Sequence, residues 1–326
     1  MDLSTPSDEQ EITYLNVSIA FTFIIIDAAL SVYYNLDIGG KLVWAACRCV
    51  VQLSILGLIL RPVFELNNPL FVAGLVLLLN CLGTMEVVIN KSKKRFQHML
   101  PIVLAGLLGS TVPVSIIGVR FALGVVPFWT PEHYVPIAGM LIGNAISGIV
   151  VATSYVMKEL QENRDKVETY LAFGASRAEA CRPVVLEALR LALTPTINQM
   201  SVIGLISIPG MMTGALLGGA PVARASRLQM IIMFLLSGSA ALSALITTVG
   251  CVAVVVDGYG RVRGERITTG ASVSDVLGVG KVFGTSTSDI SRRLVEVRQR
   301  AREAVIGIVA RLRGNEGGQA RYELLG

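Results

Sequence analysis

Ionisable and strongly polar side chains inside long apolar stretches are the first candidates for chemistry in this 326-residue chain. Asp27 and Arg48 each lie within such a stretch. A charge in hydrocarbon is expensive and is kept where it pairs, or where it meets an ion or a substrate. At 1.5 Å per helical residue they sit roughly 10 and 9 Å from the inner ends of their stretches, a common depth. Either an interhelical ion pair or a pair of substrate contacts fits that placement. Asn144, Asn198 and Gln199 add neutral amides at membrane depth, suited to interhelical hydrogen bonding. The segment SIPGMMTGALLGGA at 207–220 is a further candidate. Pro209 removes a backbone donor and Gly210 loosens the chain, so carbonyls are freed to line a path. Met211 and Met212 bring polarizable sulfur there. A kinked, closely packed helix accounts for the same residues, and the two roles are compatible.

The second candidate group is polar. Residues 158–190 read KELQENRDKVETYLAFGASRAEACRPVVLEALR. Good helix formers fill the first half, and Gly174 stands where a left-handed C-terminal cap is wanted. Ser176 and Glu179 have the spacing of a capping box, in which each side chain satisfies the other residue's amide. Pro183 follows, where a bend would turn the second helix toward the membrane. A helix–elbow–helix held between two spans is a shape suited to docking a partner.

The elements that must position these groups follow from composition. Hydrophobic residues make up 53% of the chain and charged residues 16%, with a mean hydropathy of +0.64. That excludes disorder over most of the length and leaves too little polar surface for a soluble protein. Seven stretches are long enough to cross a bilayer, at 15–34, 42–60, 69–89, 101–119, 135–156, 191–217 and 228–256. They carry no strict alternation, so helices are expected rather than a barrel. The expected class is an all-α polytopic membrane protein with about seven transmembrane helices. Residues 1–14 form a short extracytosolic segment, 15–256 the transmembrane domain with its elbow at 158–190, and 257–326 a cytosolic linker and tail. Basic residues favour the cytosolic side. With the N-terminus outside, the inward loops hold eleven Lys and Arg against four in the outward loops. The expected orientation is N-terminus out, C-terminus in.

Several other functions find no residues to carry them. The five cysteines lie at 47, 49, 81, 181 and 251 and the histidines are His98 and His133. Residues 47 and 49 cannot face the same way on a helix, so no metal site or cofactor is expected. A basic face interleaved with aromatics is missing, which argues against nucleic acid. A phosphate-cradling loop requires G-x-x-x-x-G-K-[ST]. The nearest stretch, GVGKVF at 278–283, has Asp275 and Val282 in two required places. The chain therefore carries no nucleotide-binding motif or catalytic residues of its own. After Asp257 the composition turns to Gly, Ser, Thr and Val, then from Asp289 to apolar residues every three or four positions among arginines. A basic amphipathic helix is expected there, on the anionic leaflet or on a partner.

Glu168, Gly174, Val184 and Leu186 resemble the EAA loop of ABC importer permeases, with departures at Thr169, Tyr170 and Glu187. Over residues 140–256 the stretches ENRDKVETYLAFGAS, TPTINQMSVIGLISIPGMMTGALLGGAP and QMIIMFLLSGSAAL resemble the FetB-type permease family. That family includes the bacterial iron-export permease and plant aluminium-sensitivity proteins. The resemblance implies a half-transporter, a permease subunit that exports metal ions or a small solute with a separate ABC ATPase subunit. It also implies assembly as a homodimer. Carried onto this chain, Glu168, Gly174, Ser176, Arg177 and Glu179 form the ATPase-docking elbow. The substrate path would draw on Asp27, Arg48, Asn144, Pro209, Gly210, Met211 and Met212. The alternative is a stand-alone secondary carrier or channel using Asp27, Arg48 and Asn144.

Overall fold

Some helix starts in this chain are set by local side-chain chemistry. Asn68 is one example: its Oδ1 accepts from the Leu70 amide at 3.0 Å, and Pro69 fills the first helical position. A proline there costs nothing, because that amide has no intrahelical partner. The computed structural model describes residues 14–34, 36, 38–66, 68–92, 94–257, 262–263 and 266–269. Its helices are α1 (Tyr14–Tyr33), α2 (Gly39–Leu66), α3 (Pro69–Met85), α4 (Met99–Ile117) and α5 (Pro131–Glu162). Then come α6 (Arg164–Ala172), α7 (Arg177–Val202), α8 (Gly210–Leu217) and α9 (Val222–Val255). Two short strands, β1 (Lys94–Phe96) and β2 (Ile267–Thr269), pair antiparallel with Phe96 opposite Ile267. The expected segment 1–14 and the amphipathic helix after Asp289 lie outside the described residues, apart from Tyr14.

The all-α membrane architecture is as expected. Among the described residues, six stretches are long and apolar enough to cross a bilayer: Leu15–Tyr33, Leu42–Glu65, Pro69–Lys91, Met99–Ala122, Pro131–Glu162 and Val222–Val255. The stretch 191–217 is not one continuous helix. α7 ends at Val202, Gly204 takes a φ of 87°, and α8 begins only after Pro209. A left-handed residue followed by a residue without an amide cannot continue a helical ladder. Part of the stretch expected as a linker is ordered too, since β2 lies within it.

Residues up to Arg61 form one unit and Pro62–Gly280 another. Within the first, Ser31 closes the α1–α2 turn by accepting from the Gly39 amide at 2.8 Å. In the second, α5 and α9 run parallel through the centre. Asn144 Nδ2 donates to the Leu236 carbonyl at 3.1 Å, and Gly148 faces Ala240 with the same offset in sequence. α4 runs antiparallel to α9, with Gly106 against Thr247 and Gly118 against Leu235. A methyl group on Gly106 would lie 2.4 Å from Thr247 Cγ2, and one on Gly250 2.5 Å from Ile102 Cγ2. Association inside a bilayer relies on close packing rather than on hydrophobic expulsion, so these glycines set the helix spacing. Leu107, Ile149, Val156, Ala188 and Ala244 fill the core at 0% exposure.

Hydrogen bonds gather three connections at one end of this unit. Lys94 of the α3–α4 connection donates to Gln161 near the end of α5. Arg177 at the start of α7 donates to the Val256 carbonyl just past α9 at 3.2 Å. The elbow, the β1–β2 ribbon and the end of α9 therefore share one end of the bundle.

Candidate partner-docking elbow

The elbow is built from three local motifs in succession. α5 stops at Asn163, whose amide donates to the Glu159 carbonyl at 2.9 Å while its Nδ2 donates to Glu159 Oε1 at 2.8 Å. α6 then runs for nine residues. Its C-terminal turn is a Schellman motif: the Gly174 amide donates to Leu171 at 3.0 Å and the Ala175 amide to Tyr170 at 3.1 Å. This geometry demands a left-handed residue, and Gly174 has a φ of 89°. Ser176 follows at once as the N-cap of α7. Its Oγ accepts from the Glu179 amide at 3.3 Å, and its own amide donates to Glu179 Oε2 at 2.8 Å. Both the glycine cap and the capping box stand where the sequence places them.

These bonds act on the Glu179 carboxyl. The Ser176 amide, and after it the Ser176 hydroxyl, hold its pKa below the ordinary 4.5. A depressed carboxylate pKa contributes order that is fully present above the unfolded value and is lost as pH falls through the folded one. Exchange protection of the Ser176 and Glu179 amides, corrected for intrinsic rates, should hold steady above about pH 5 and decline in more acidic solution. In Glu179→Gln, which accepts without titrating, the profile should be weaker and flat. A wild-type profile that stayed flat down to pH 3 would remove the box as a source of order.

Glu168 and Arg177 both hydrogen-bond to groups beyond the elbow. Glu168 Oε1 accepts from Arg164 Nε at 2.6 Å and from the Val262 amide at 3.4 Å. With Arg177 bonded to Val256, both residues grip the segment that follows α9. Arg266 adds a third contact, donating to the Val254 carbonyl at 2.6 Å. The sequence marks this clasp only faintly. Its only trace in the sequence is a few β-branched residues beyond the last apolar run, too short to show a period. Behind the turn lies a groove of about 240 Å³ between α5, α6 and α7, lined by Tyr155, Glu159, Lys166, Tyr170, Pro183 and Val184.

The path candidates fall in both units, Asp27 and Arg48 in the first and Asn144, Pro209, Gly210, Met211 and Met212 in the second, and each has its own local setting. Asp27 is exposed on α1. On α2, Gln52, with its amide oxygen turned toward Arg48, accepts from the guanidinium at 3.0 and 3.3 Å one turn along the same helix. Asn144 uses its amide to tie α5 to α9. Pro209 and Gly210 open α8, where Met211 and Met212 are half-buried. Polar groups the sequence reading passed over link neighbouring helices: Thr111 donates to Asn80 Oδ1 at 3.0 Å, and Ser115 and Tyr134 share a bond of 3.0 Å. Among the described residues, no three His, Cys, Asp or Glu side chains come together as metal ligands.

Comparison with known proteins covers the same core. The model of the uncharacterised protein family UPF0014 matches residues 14–255. A UPF0014 membrane protein of Synechocystis is 34% identical over 226 residues, 68% of this chain and 85% of that protein. The Arabidopsis thaliana protein ALUMINUM SENSITIVE 3 is 30% identical over 236 residues, 71% of this chain and 83% of its own. The Escherichia coli protein named "Probable iron export permease protein FetB" is 25% identical over 240 residues, 73% of this chain and 90% of its own. No solved structure matches the chain significantly. With several apolar helices among the described residues and a family match over 14–255, the chain belongs to the UPF0014 family of multi-pass membrane proteins.

Proposed function

We propose that the chain is the permease subunit of an ABC-type transporter that exports metal ions, with a separate ATP-hydrolysing subunit docked on the elbow. The observation that carries the reading is the elbow itself. A Schellman turn and a capping box follow one another without a spare residue, so α6 and α7 meet at a fixed angle. α7 is 26 residues long, about 39 Å, and so transmits any displacement of the elbow deep into the bundle. The likeness to a protein named as an iron export permease supports the choice of cargo.

Orientation follows the same reading. The basic α3–α4 connection, the elbow and the segment after α9 lie together, which suits one cytosolic face under the positive-inside bias. A pair of these chains, each with its ATPase, completes the transporter. The rival reading is a secondary carrier working through Asp27, Arg48 and Asn144. Inside-out membrane vesicles carrying the chain separate the two. Uptake of iron(II) that requires ATP and survives a protonophore supports the proposal; uptake driven by an ion gradient without ATP overturns it.

A further inference from the structure

A large apolar side chain stands exposed at the tip of the elbow. Within residues 158–190 the large apolar side chains exposed to solvent are Tyr170, Phe173 and Leu186, and Phe173 is the most open at 88%. Strongly exposed apolar residues on the spans face lipid, which needs no further account. Phe173 has no such explanation, because it caps α6 between two polar helical segments.

The turn fixes the backbone that carries the ring. The Phe173 amide donates to the Thr169 carbonyl at 3.1 Å, and the Schellman bonds of Gly174 and Ala175 close the backbone on its far side. A side chain presented on a rigid turn loses little freedom on binding, so more of its burial appears as affinity. Charge cannot supply the same attraction. Residues 158–190 hold six acidic and six basic side chains, several already paired: Lys158 with Glu162, Arg164 with Glu168 and Arg190 with Glu187. A neutral, internally paired surface gives little electrostatic steering.

We propose that Phe173 is the apolar anchor of the elbow, entering a cleft lined by apolar side chains on the ATP-hydrolysing subunit. This rests on the docking reading above and names the residue and the chemistry that give it affinity. Tyr170, 55% exposed and lining the groove behind, borders the anchor as the rim of the contact. Central aromatic anchors with a surrounding rim dominate many interfaces.

The probe is the subunit that copurifies with the full wild-type chain in mild detergent and carries a G-x-x-x-x-G-K-[ST] loop. Truncation in Phe173→Ala should weaken its binding about 10- to 100-fold, the loss expected from leaving a phenylalanine unburied. Phe173→Leu should keep most of the affinity. Wild-type binding should change little between 50 and 500 mM salt. Because the ring is exposed, neither variant should alter folding, which the melting temperature checks. A photoreactive p-benzoyl-phenylalanine in place of Phe173 should cross-link to that subunit in native membranes. Wild-type affinity in Phe173→Ala, while Gly174→Arg abolishes binding, would overturn the anchor and leave the docking reading standing. Cross-links to lipid alone would also overturn the anchor. Failure of the wild-type chain to hold any such subunit would overturn both.

Discussion

Gly174→Arg is expected to abolish capture of the ATPase subunit and, with it, ATP-dependent transport. Two physical effects combine at this position. The φ of 89° is left-handed, where an L side chain costs about 1–2 kcal/mol. A Cβ built on Gly174 meets nothing within 4 Å, so the free chain suffers no clash and pays only that backbone strain. The arginine itself projects into the space a docked partner occupies. A graded series separates the effects. Gly174→Asn, which tolerates the left-handed region, should retain most binding. Gly174→Ala should lower elbow stability by about 1–2 kcal/mol and weaken capture modestly. Gly174→Arg should reduce capture by more than a hundredfold in pull-down titrations. Equal loss in all three would mean that backbone strain alone matters and that the face carries no contact.

Glu168→Lys should have the next largest effect, through the clasp. It replaces the acceptor of the Val262 amide and sets a second cation beside Arg164, which now lies 2.6 Å from the carboxylate. The existing ion pair is partly exposed and contributes at most about 1 kcal/mol. The larger cost comes from the like-charge contact and the lost bond to the strand segment. Exchange at residues 262–269 should rise about tenfold, and partner affinity should fall by a similar factor, about 1.4 kcal/mol. In Glu168→Gln an acceptor and neutrality are kept, so the loss should be a fraction of that. If exchange in 262–269 stays at its wild-type rate in Glu168→Lys, the carboxylate does not hold the clasp.

The contrast between these two residues shows what could be read in the sequence. Gly174 and the Ser176–Glu179 pair lie within the six residues 174–179, and their chemistry depends on spacing alone. Both appear in the structure as written. The apolar helices were legible for the same reason, since length and composition decide whether a helix crosses. The family resemblance marks Glu168 as a docking residue, yet its partners include the Val262 amide, 94 positions away. Nothing local marks that bond. The β1–β2 ribbon joins Phe96 to Ile267 through strands of three residues each, shorter than any periodicity can reveal. The break between α7 and α8 was half visible. Pro209 signalled it, but Gly204 turned a bend into an interruption. Phe173 was hidden by its setting, because an aromatic residue in a helical stretch reads as core until its exposure is known.

In the proposed function the chain works through a separate motor seated on the elbow. Native mass spectrometry of the tagged chain, purified from its own membranes in mild detergent, tests that claim most directly. The account predicts a complex in which this chain and a subunit bearing a G-x-x-x-x-G-K-[ST] loop occur in equal numbers, and its disappearance in Gly174→Arg. Recovery of the wild-type chain without such a subunit, from membranes that still export metal, would contradict it.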